Sequence, residues 1–250
     1  MIAPEQKRLE ELALRAAYTG GPAFTRFLEP SMLDAARGAA NRAGAHAAFY
    51  GGFEEAERRV AAFYADEPPA PEDYPLAVLR IDWNDRFNHP GHRDLLGAAM
   101  GLGLERETLG DIAPGARDGA PCAYLFCLAD VAGYICANLA SAGRATVKVS
   151  VETGAPNILP PEGERLRLTV QNERLDAVLA AACRLSRAEA QRLIAAGLVK
   201  LNHVPNLRAD ARLREGDLIS ARGLGRVRVE EFLGESRRGR RVVSAFRYRG

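Results

Sequence analysis

The stretch Glu173-Arg-Leu-Asp-Ala-Val-Leu-Ala-Ala-Ala-Cys-Arg-Leu-Ser-Arg-Ala-Glu-Ala-Gln-Arg-Leu-Ile-Ala-Ala-Gly-Leu-Val-Lys-Leu-Asn202 predicts two helices followed by a strand. Ser186 precedes Glu189 by three residues, which is the capping-box pattern at the start of a helix. Gly197 stands where a left-handed helix end favours glycine, and residues 198–201 read as a strand. Each helix presents apolar residues at the spacing of one helical face: Leu175, Val178, Leu179 and Ala182, then Ala190, Leu193 and Ile194.

The polar residues of this stretch favour binding of a polyanion. Arg187 and Gln191 are four residues apart and are therefore neighbours on the exposed face of the second helix. Arg184 and Arg187 flank the start of that helix, where free N–H groups and the helix dipole favour a phosphate. Guanidinium groups match phosphate geometry and also stack on bases. Further cations follow on the strand and its loop: Lys200, Arg208 and Arg212.

The charge of the chain is divided unevenly. The 250 residues carry a net charge of only +2, with 47% hydrophobic and 26% charged residues, which excludes a disordered or fibrous protein. Residues 165–250 contain 19 Lys and Arg against 9 Asp and Glu, a net charge of +10. Residues 1–164 contain 15 basic and 23 acidic residues, a net charge of −8. Binding of a polyanion by bulk charge is therefore predicted for the C-terminal part alone.

Two proline-rich stretches, residues 66–75 and 154–163, divide the chain into three regions. In the first region, apolar residues at helical spacing predict a helix at Leu9, Leu12, Ala13 and Ala16, and a later helix at Ala56, Val60 and Phe63. In the second, strand and helix patterns alternate in the order β-α-β-β-α-β, the ferredoxin-like arrangement. Its predicted elements are strands at 76–81, 109–112, 124–128 and 145–151 and helices at 93–102 and 131–140.

Several motifs are similar to those of a known family. R-L-D at 174–176, S-R-x-x-A-Q-x-L-I at 186–194, G-x-V-K-x-N at 197–202 and G-D-x-I at 216–219 resemble the S4 RNA-binding domain. Motifs over most of the chain resemble, in the same order, YlmH-type S4 proteins: residues 24–30, 50–58, 92–97, 110–112 and 216–226. One departure is His203-Val204, where many S4 domains have Gly-Lys.

The resemblance implies an α+β protein with three parts: an N-terminal helical region (residues 1–73), a ferredoxin-like RNA-binding domain (residues 74–153), and a C-terminal S4 (αL) RNA-binding domain with a terminal β-hairpin (residues 165–250). It also implies binding to structured RNA of the large ribosomal subunit and to tRNA, and a link to the rescue of stalled large subunits. Carried over by position, the expected RNA contacts are Arg174, Ser186, Arg187, Gln191, Lys200 and Asn202.

Two further basic sites are candidates for RNA contact. The terminal hairpin, with strands around Val227–Phe232 and 242–248, has four arginines at its tip, of which Arg238 and Arg240 are predicted to reach phosphates. Arg93 lies near the start of the first helix of the middle domain, where a cation either meets phosphate or caps the helix. Aromatic residues make up 7% of the chain and are not interleaved with arginines, which favours structured RNA over stacked single strands.

Catalysis is the weaker hypothesis. Residues 82–94 contain two His and three Asp, but the spacing H-x-x-H interrupted by Pro90-Gly91 is not that of a helical metal site. The triplet 174–176 is similar to the catalytic R-L-D of pseudouridine synthases, although its position in an S4 helix favours a structural Asp176. No catalytic residue, metal or cofactor is predicted. Two alternatives stay open: an RNA-modifying enzyme with its site in residues 74–152, and a scaffold whose acidic half docks a basic ribosomal protein.

The sequence predicts a cytoplasmic protein with no membrane contact. The first residues are rich in charge and lack the apolar core of a signal peptide. The most apolar stretch, residues 120–142, is interrupted by Asp130 and Asn138. The four cysteines form no C-x-x-C pair and are expected to be reduced residues of the core.

Overall fold

The computed structural model describes residues 4–84, 89–236 and 239–249, and the chain forms two compact units, residues 1–160 and 161–250. The helices of the first unit are α1 (Pro4–Thr19), α2 (Leu33–Ala43), α3 (His92–Gly101) and α4 (Ala129–Asn138). Its strands are β1 (Ala23–Leu28), β2 (His46–Tyr50), β3 (Arg59–Tyr64), β4 (Leu76–Trp83), β5 (Leu109–Arg117), β6 (Ala120–Leu128), β7 (Ser141–Ala142) and β8 (Ala145–Val151).

The second unit contains the helices α5 (Leu175–Cys183) and α6 (Arg187–Ala195). Its strands are β9 (Gly163–Val170), β10 (Val199–Leu201), β11 (Val204–Pro205), β12 (Leu218–Ala221), β13 (Gly225–Glu235) and β14 (Arg241–Tyr248). The predicted α+β class is confirmed in both units.

The N-terminal region combines helices with a three-stranded sheet. Its strands pair in the order β1-β3-β2, and α1 and α2 cover one face of this sheet. The predicted helix at Ala56, Val60 and Phe63 is wrong, since residues 59–64 form the central strand. Val60 faces one side of the sheet and Phe63 the other, and both are fully buried. A strand buried on both faces has no polar alternation, so its apolar spacing resembles that of a helix.

The second face of this sheet packs against the middle region, so the two share a core. Phe27 and Val60 lie against Tyr124 and Phe126 of β6. The approach is close at Gly110, where a Cβ atom would lie 2.6 Å from the ring of Phe27. The predicted boundary between residues 73 and 74 therefore lies within one compact unit and stays a prediction.

The middle region has the predicted β-α-β-β-α-β order. Its antiparallel sheet runs β5-β6-β4-β8-β7, in which β7 is a short addition at the edge. α3 and α4 cover one face, where Leu95 and Ile135 pack against Leu79, Ile81 and Leu125.

The second unit is a six-stranded antiparallel sheet covered on one face by two helices. The strands pair in the order β11-β10-β12-β13-β14-β9. Leu175, Val178 and Leu179 of α5 are buried as predicted, and they pack with Ala190 and Ile194 of α6 on the sheet. The terminal hairpin is also confirmed, but it is not a separate element, because β13 pairs with β12 and β14 pairs with β9.

All four cysteines are free thiols in this fold. Cys122 and Cys127 are buried, while Cys136 and Cys183 are half-buried. Burial raises the pKa of Cys127 to about 12, and a neighbouring cysteine and aspartate add to the effect. A thiol with so high a pKa stays protonated at neutral pH and is a poor nucleophile.

Candidate nucleic-acid interface

The centre of the S4 helices is a buried carboxylate. Asp176 has no exposed surface, and three of the predicted RNA-contact residues donate hydrogen bonds to it. Gln191 Nε2 donates to Oδ2 over 2.8 Å and Arg187 Nε over 3.1 Å. Arg174 Nε donates to Oδ1 over 3.2 Å. The structural role predicted for Asp176 is therefore confirmed, and these three side chains have a role in the fold whether or not they also contact RNA.

The partners of Asp176 keep the carboxyl group ionised. Burial raises the pKa of Asp176, but the hydrogen bonds from Gln191, Arg187 and Arg174 outweigh it, and the pKa lies below its usual value. The side chains of Arg174 and Arg187 remain 36% and 41% exposed. A guanidinium group has five N–H donors, so each arginine retains donors after binding Asp176. Asp176 thus fixes two partly exposed arginines that keep unused donors.

The start of α6 is capped as predicted. Glu189 N donates to Ser186 Oγ over 3.2 Å, and Ser186 N donates to Glu189 Oε2 over 2.8 Å. The Ser186 hydroxyl also donates to this carboxylate, and the two Ser186 bonds lower the pKa of Glu189. A carboxylate therefore already lies at the positive end of the helix. Contact of RNA with Ser186 stays a prediction, and the cap gives Ser186 a structural role.

Arg184 is one of the exposed cations among the predicted RNA contacts. It ends α5 in the left-handed conformation, with φ of 56°. Its side chain is exposed and forms no ion pair with any residue in the described ranges. The backbone N–H groups of Leu175 and Asp176 at the other end of α5 donate to the carbonyls of Ala211 and Ala209. That helix start is therefore closed to an anion.

Lys200 and Asn202 lie on and after β10. Lys200 is exposed, sits opposite Ser220 in the sheet, and likewise has no ion pair within the part of the chain that the structure describes. Asn202 is held in a turn with φ of 49°. Its Nδ2 donates to Asp217 Oδ1 over 2.8 Å and its Oδ1 accepts from Leu218 N over 2.8 Å. The amide of Asn202 therefore shapes the turn, and an RNA contact there stays a prediction.

The remaining candidates are scattered. Arg208 is 78% exposed and lies 3.5 Å from Asp210. Arg240 is exposed after β13, while Arg238 lies outside the described residues. Arg93 is exposed in the first turn of α3, where the carboxylate of Asp94 accepts the N-cap N–H, so Arg93 does not cap the helix.

Sequence reasoning missed two features near these residues. Arg222 and Arg226 line a depression of about 510 Å³ together with Lys200, and only the sheet brings them to it. Glu173 is 14% exposed and holds both Arg212 and Arg241. The predicted cation Arg212 is therefore paired, and its spacing in the sequence carried no sign of this.

The acidic candidates for catalysis have structural partners. Arg80 Nε donates to Asp82 over 2.9 Å, and Asp94 caps α3. In the described ranges, no three His, Cys, Asp or Glu side chains come together to hold a metal ion. Residues 85–88, which belong to the stretch 82–94 considered for a metal site, lie outside the described residues. No helix in the described part of the chain has the length and apolarity that crossing a membrane requires.

The helix pair on an antiparallel sheet, with its anchored arginines, is the part of the chain that matches a known RNA-binding class, the S4 domain. Residues 173–219 match the model "S4 domain", and residues 69–154 match the model "Putative RNA-binding domain in YlmH". The chain is 33% identical over 217 residues to "Ribosome-associated protein quality control protein P2" of Bacillus subtilis (strain 168), which covers 86% of this chain and 83% of the relative. The chain therefore belongs to the family of YlmH-type S4 proteins.

A solved structure is also similar. "Cell division protein ylmH from Streptococcus pneumoniae" is 20% identical, with a TM-score of 0.46 over 61% of this chain and 93% of that chain.

Proposed function

We propose that this protein is a non-catalytic, cytoplasmic adaptor that binds structured RNA, namely large-subunit ribosomal RNA, tRNA or both. We further propose that it acts on stalled large ribosomal subunits in ribosome-associated quality control. The observation that carries the proposal is the pair of arginines that Asp176 fixes at the surface of a unit that also carries the exposed Arg184. Rigid guanidinium groups with spare donors suit the fixed phosphate spacing of folded RNA.

The name of the Bacillus subtilis relative supports the cellular part of the proposal, since that protein is named for ribosome-associated quality control. The basic charge supports the RNA part, because it is concentrated in the S4 unit. The structural roles of Asp82 and Asp94 lend no support to an enzyme with its site in the middle region.

The test is filter binding of the full chain to large-subunit RNA and to tRNA over a range of salt concentrations. Arg184→Glu/Arg208→Glu reverses two exposed cations that do not contact Asp176. We expect it to lower affinity at least tenfold and to reduce the salt slope, by about 0.7–0.9 for each phosphate that the variant no longer neutralises. Arg187 is unsuitable for charge reversal, since a glutamate there would face the buried Asp176.

The matched control is Lys7→Glu/Arg15→Glu, which changes the charge equally on exposed positions of α1. It should leave binding unchanged. Equal binding by wild type and Arg184→Glu/Arg208→Glu would contradict the proposed surface. Altered nucleosides in RNA incubated with the protein would instead indicate an RNA-modifying enzyme.

A further inference from the structure

The two faces of the six-stranded sheet differ in character. Side chains alternate between the faces of a strand. One set packs against α5 and α6 in the core and includes Val199, Val227, Val229, Val243 and Ala245. Both helices that the structure describes in this unit lie on that face. The alternate residues belong to the opposite face.

This opposite face, which we name the open face, includes Arg165, Arg167, Lys200, Leu218, Ser220, Arg226, Arg228, Glu230, Glu231, Ser244, Phe246 and Tyr248. Register pairs establish it, because residues directly opposite each other share a face. Lys200 is opposite Ser220, which is opposite Arg226. Phe246 lies between Arg228 on one side and Arg165 on the other.

Two aromatic rings lie among these cations, Phe246 between two arginines and Tyr248 at the end of β14. Phe246 and Tyr248 are half-buried and meet edge to face, with ring centroids 5.0 Å apart and planes at 82°. The guanidinium carbon of Arg226 lies 5.0 Å from the Tyr248 ring centroid, and that of Arg228 lies 5.9 Å from it. Phe246 packs directly over β9, since a Cβ atom on Gly163 would lie 2.6 Å from its ring.

The charge of the open face is positive. Among its described residues are five cations, Lys200 and four arginines, against the carboxylates of Glu230 and Glu231. Glu230 forms an ion pair with Arg165 over 3.1 Å and accepts a hydrogen bond from the Ser244 hydroxyl. The cations around the rings therefore outnumber the carboxylates. Positive grooves with aromatic rings are the arrangement that proteins use for single-stranded nucleic acid.

We propose that the open face binds a segment of unpaired RNA, with bases stacked on Phe246 and Tyr248 and phosphates held by the surrounding cations. The expectation that aromatic and arginine residues are not interleaved holds along the chain but fails across the strands of this sheet. This proposal rests on the proposed function, since it takes RNA as the partner. It adds a second surface, on the side of the sheet opposite Arg184 and Asp176 of α5.

The test measures fluorescence anisotropy of the full chain with two labelled RNAs, a 12-nucleotide oligouridine and a stable hairpin of equal charge. Phe246→Leu/Tyr248→Leu removes the rings and keeps every charge. We expect it to weaken oligouridine binding by about tenfold or more and to change hairpin binding less than twofold. Phe246→Tyr/Tyr248→Phe retains both rings and should retain affinity. Tyr18→Leu, at a 93% exposed tyrosine of α1, is the matched control for Tyr248→Leu.

The two double variants distinguish the open-face proposal from the proposed function. Arg184→Glu/Arg208→Glu should weaken the hairpin more than oligouridine, the reverse of the double leucine variant. Unchanged oligouridine binding by a double leucine variant with wild-type melting temperature would overturn base stacking. An equal loss for both RNAs would also overturn it, as would displacement of oligouridine by oligoglutamate as effectively as by unlabelled oligouridine. A hairpin that does not bind while oligouridine does would refute the proposed function and leave the open face supported.

Discussion

Each unit of the protein holds an aspartate beside arginine, fully buried at Asp176 and half-buried at Asp111, and the two are held in different ways. Asp176 in the second unit is bound by the side chains of two arginines and one glutamine. Asp111 in the first unit accepts hydrogen bonds from the backbone N–H groups of Glu57 and Arg58, over 2.6 and 3.1 Å. The same residue type therefore has side-chain donors, two of the three charged, in one unit and backbone donors in the other.

The difference shows in the acidity of the two groups. Burial raises the pKa of Asp111, and the two backbone hydrogen bonds do not offset it. Burial also raises the pKa of Asp176, but the bonds from Gln191, Arg187 and Arg174 more than offset it, so this pKa is lowered. The strongest of the groups that lower the pKa of Asp176 is the neutral amide of Gln191, and the two arginines add to it, whereas Asp111 accepts from two backbone donors. The half-buried Asp111 is therefore harder to ionise than a free aspartate, whereas the buried Asp176 is easier to ionise.

The largest effect is expected for Asp176→Asn. The substitution leaves Arg174 and Arg187 facing an uncharged amide, and we expect it to lower the free energy of unfolding by about 2–4 kcal/mol. Urea unfolding, monitored by hydrogen exchange of peptides from residues 161–249, measures the loss of unfolding free energy in the second unit. Asp210→Asn is the control, because its exposed pair with Arg208 contributes at most about 1 kcal/mol. Equal stability of Asp176→Asn and wild type would show that the charge of Asp176 does not stabilise the second unit, contrary to the comparison.

Arg187→Ala should cost less, about 1–2 kcal/mol, because the side chain is 41% exposed and water replaces part of its interaction. Arg187→Lys should recover little, since an ammonium group cannot form the two bonds of the guanidinium fork. The same urea unfolding checks both variants. Full recovery by lysine would mean that charge alone, and not hydrogen-bond geometry, holds Asp176.

Local patterns predicted the S4 helices well. The capping box at Ser186, the left-handed Gly197 and the apolar face of α5 depend on neighbouring residues and are therefore readable in the sequence. The strand β3 could not be predicted from the sequence, because its residues are buried against different elements on the two faces of the sheet. In that case the surrounding structure, and not the residue pattern, decides between helix and strand.

The candidate site was predicted in composition but not in organisation. Arg187 and Gln191 were identified as polar residues of one helix face, yet their common partner, Asp176, lies on the preceding helix. The open face was missed for a similar reason. Arg228 and Phe246 are far apart in the chain and become neighbours only through the β13–β14 register. Contacts between distant residues leave no periodic signal.

Asp111→Asn tests whether Asp111 needs its negative charge or only a hydrogen-bond acceptor. Both backbone N–H groups donate to the same carboxylate oxygen, Oδ2, so the carbonyl oxygen of an asparagine can accept them. We expect the free energy of unfolding to fall by less than about 1 kcal/mol. Urea unfolding monitored by the fluorescence of Trp83 measures this change, because Trp83 is the lone tryptophan and lies in the first unit. Asp111→Leu offers no acceptor and should cost about 1–3 kcal/mol. If asparagine cost as much as leucine, the negative charge of Asp111 would be the important feature.

The smallest effect is a difference in pH dependence between the two aspartates. An aspartate in an unfolded chain titrates near about pH 3.9. The pKa of folded Asp176 is lowered, so its contribution to stability is present above about pH 4 and is lost as the pH falls through the folded pKa. The pKa of folded Asp111 is raised, so its contribution is present below about pH 4 and is lost as the pH rises through the folded pKa.

The free energies of unfolding of wild type and each asparagine variant, measured over the acid range, separate these contributions. The advantage of wild type over Asp176→Asn should shrink as the pH is lowered below about 4, because the folded state then gives up its ionised carboxylate. Relative to Asp111→Asn, wild type should lose stability as the pH is raised above about 4, because ionisation is easier in the unfolded chain. Two curves that slope in the same direction would mean that the pKa values of both folded aspartates are shifted in the same direction, which would contradict the comparison.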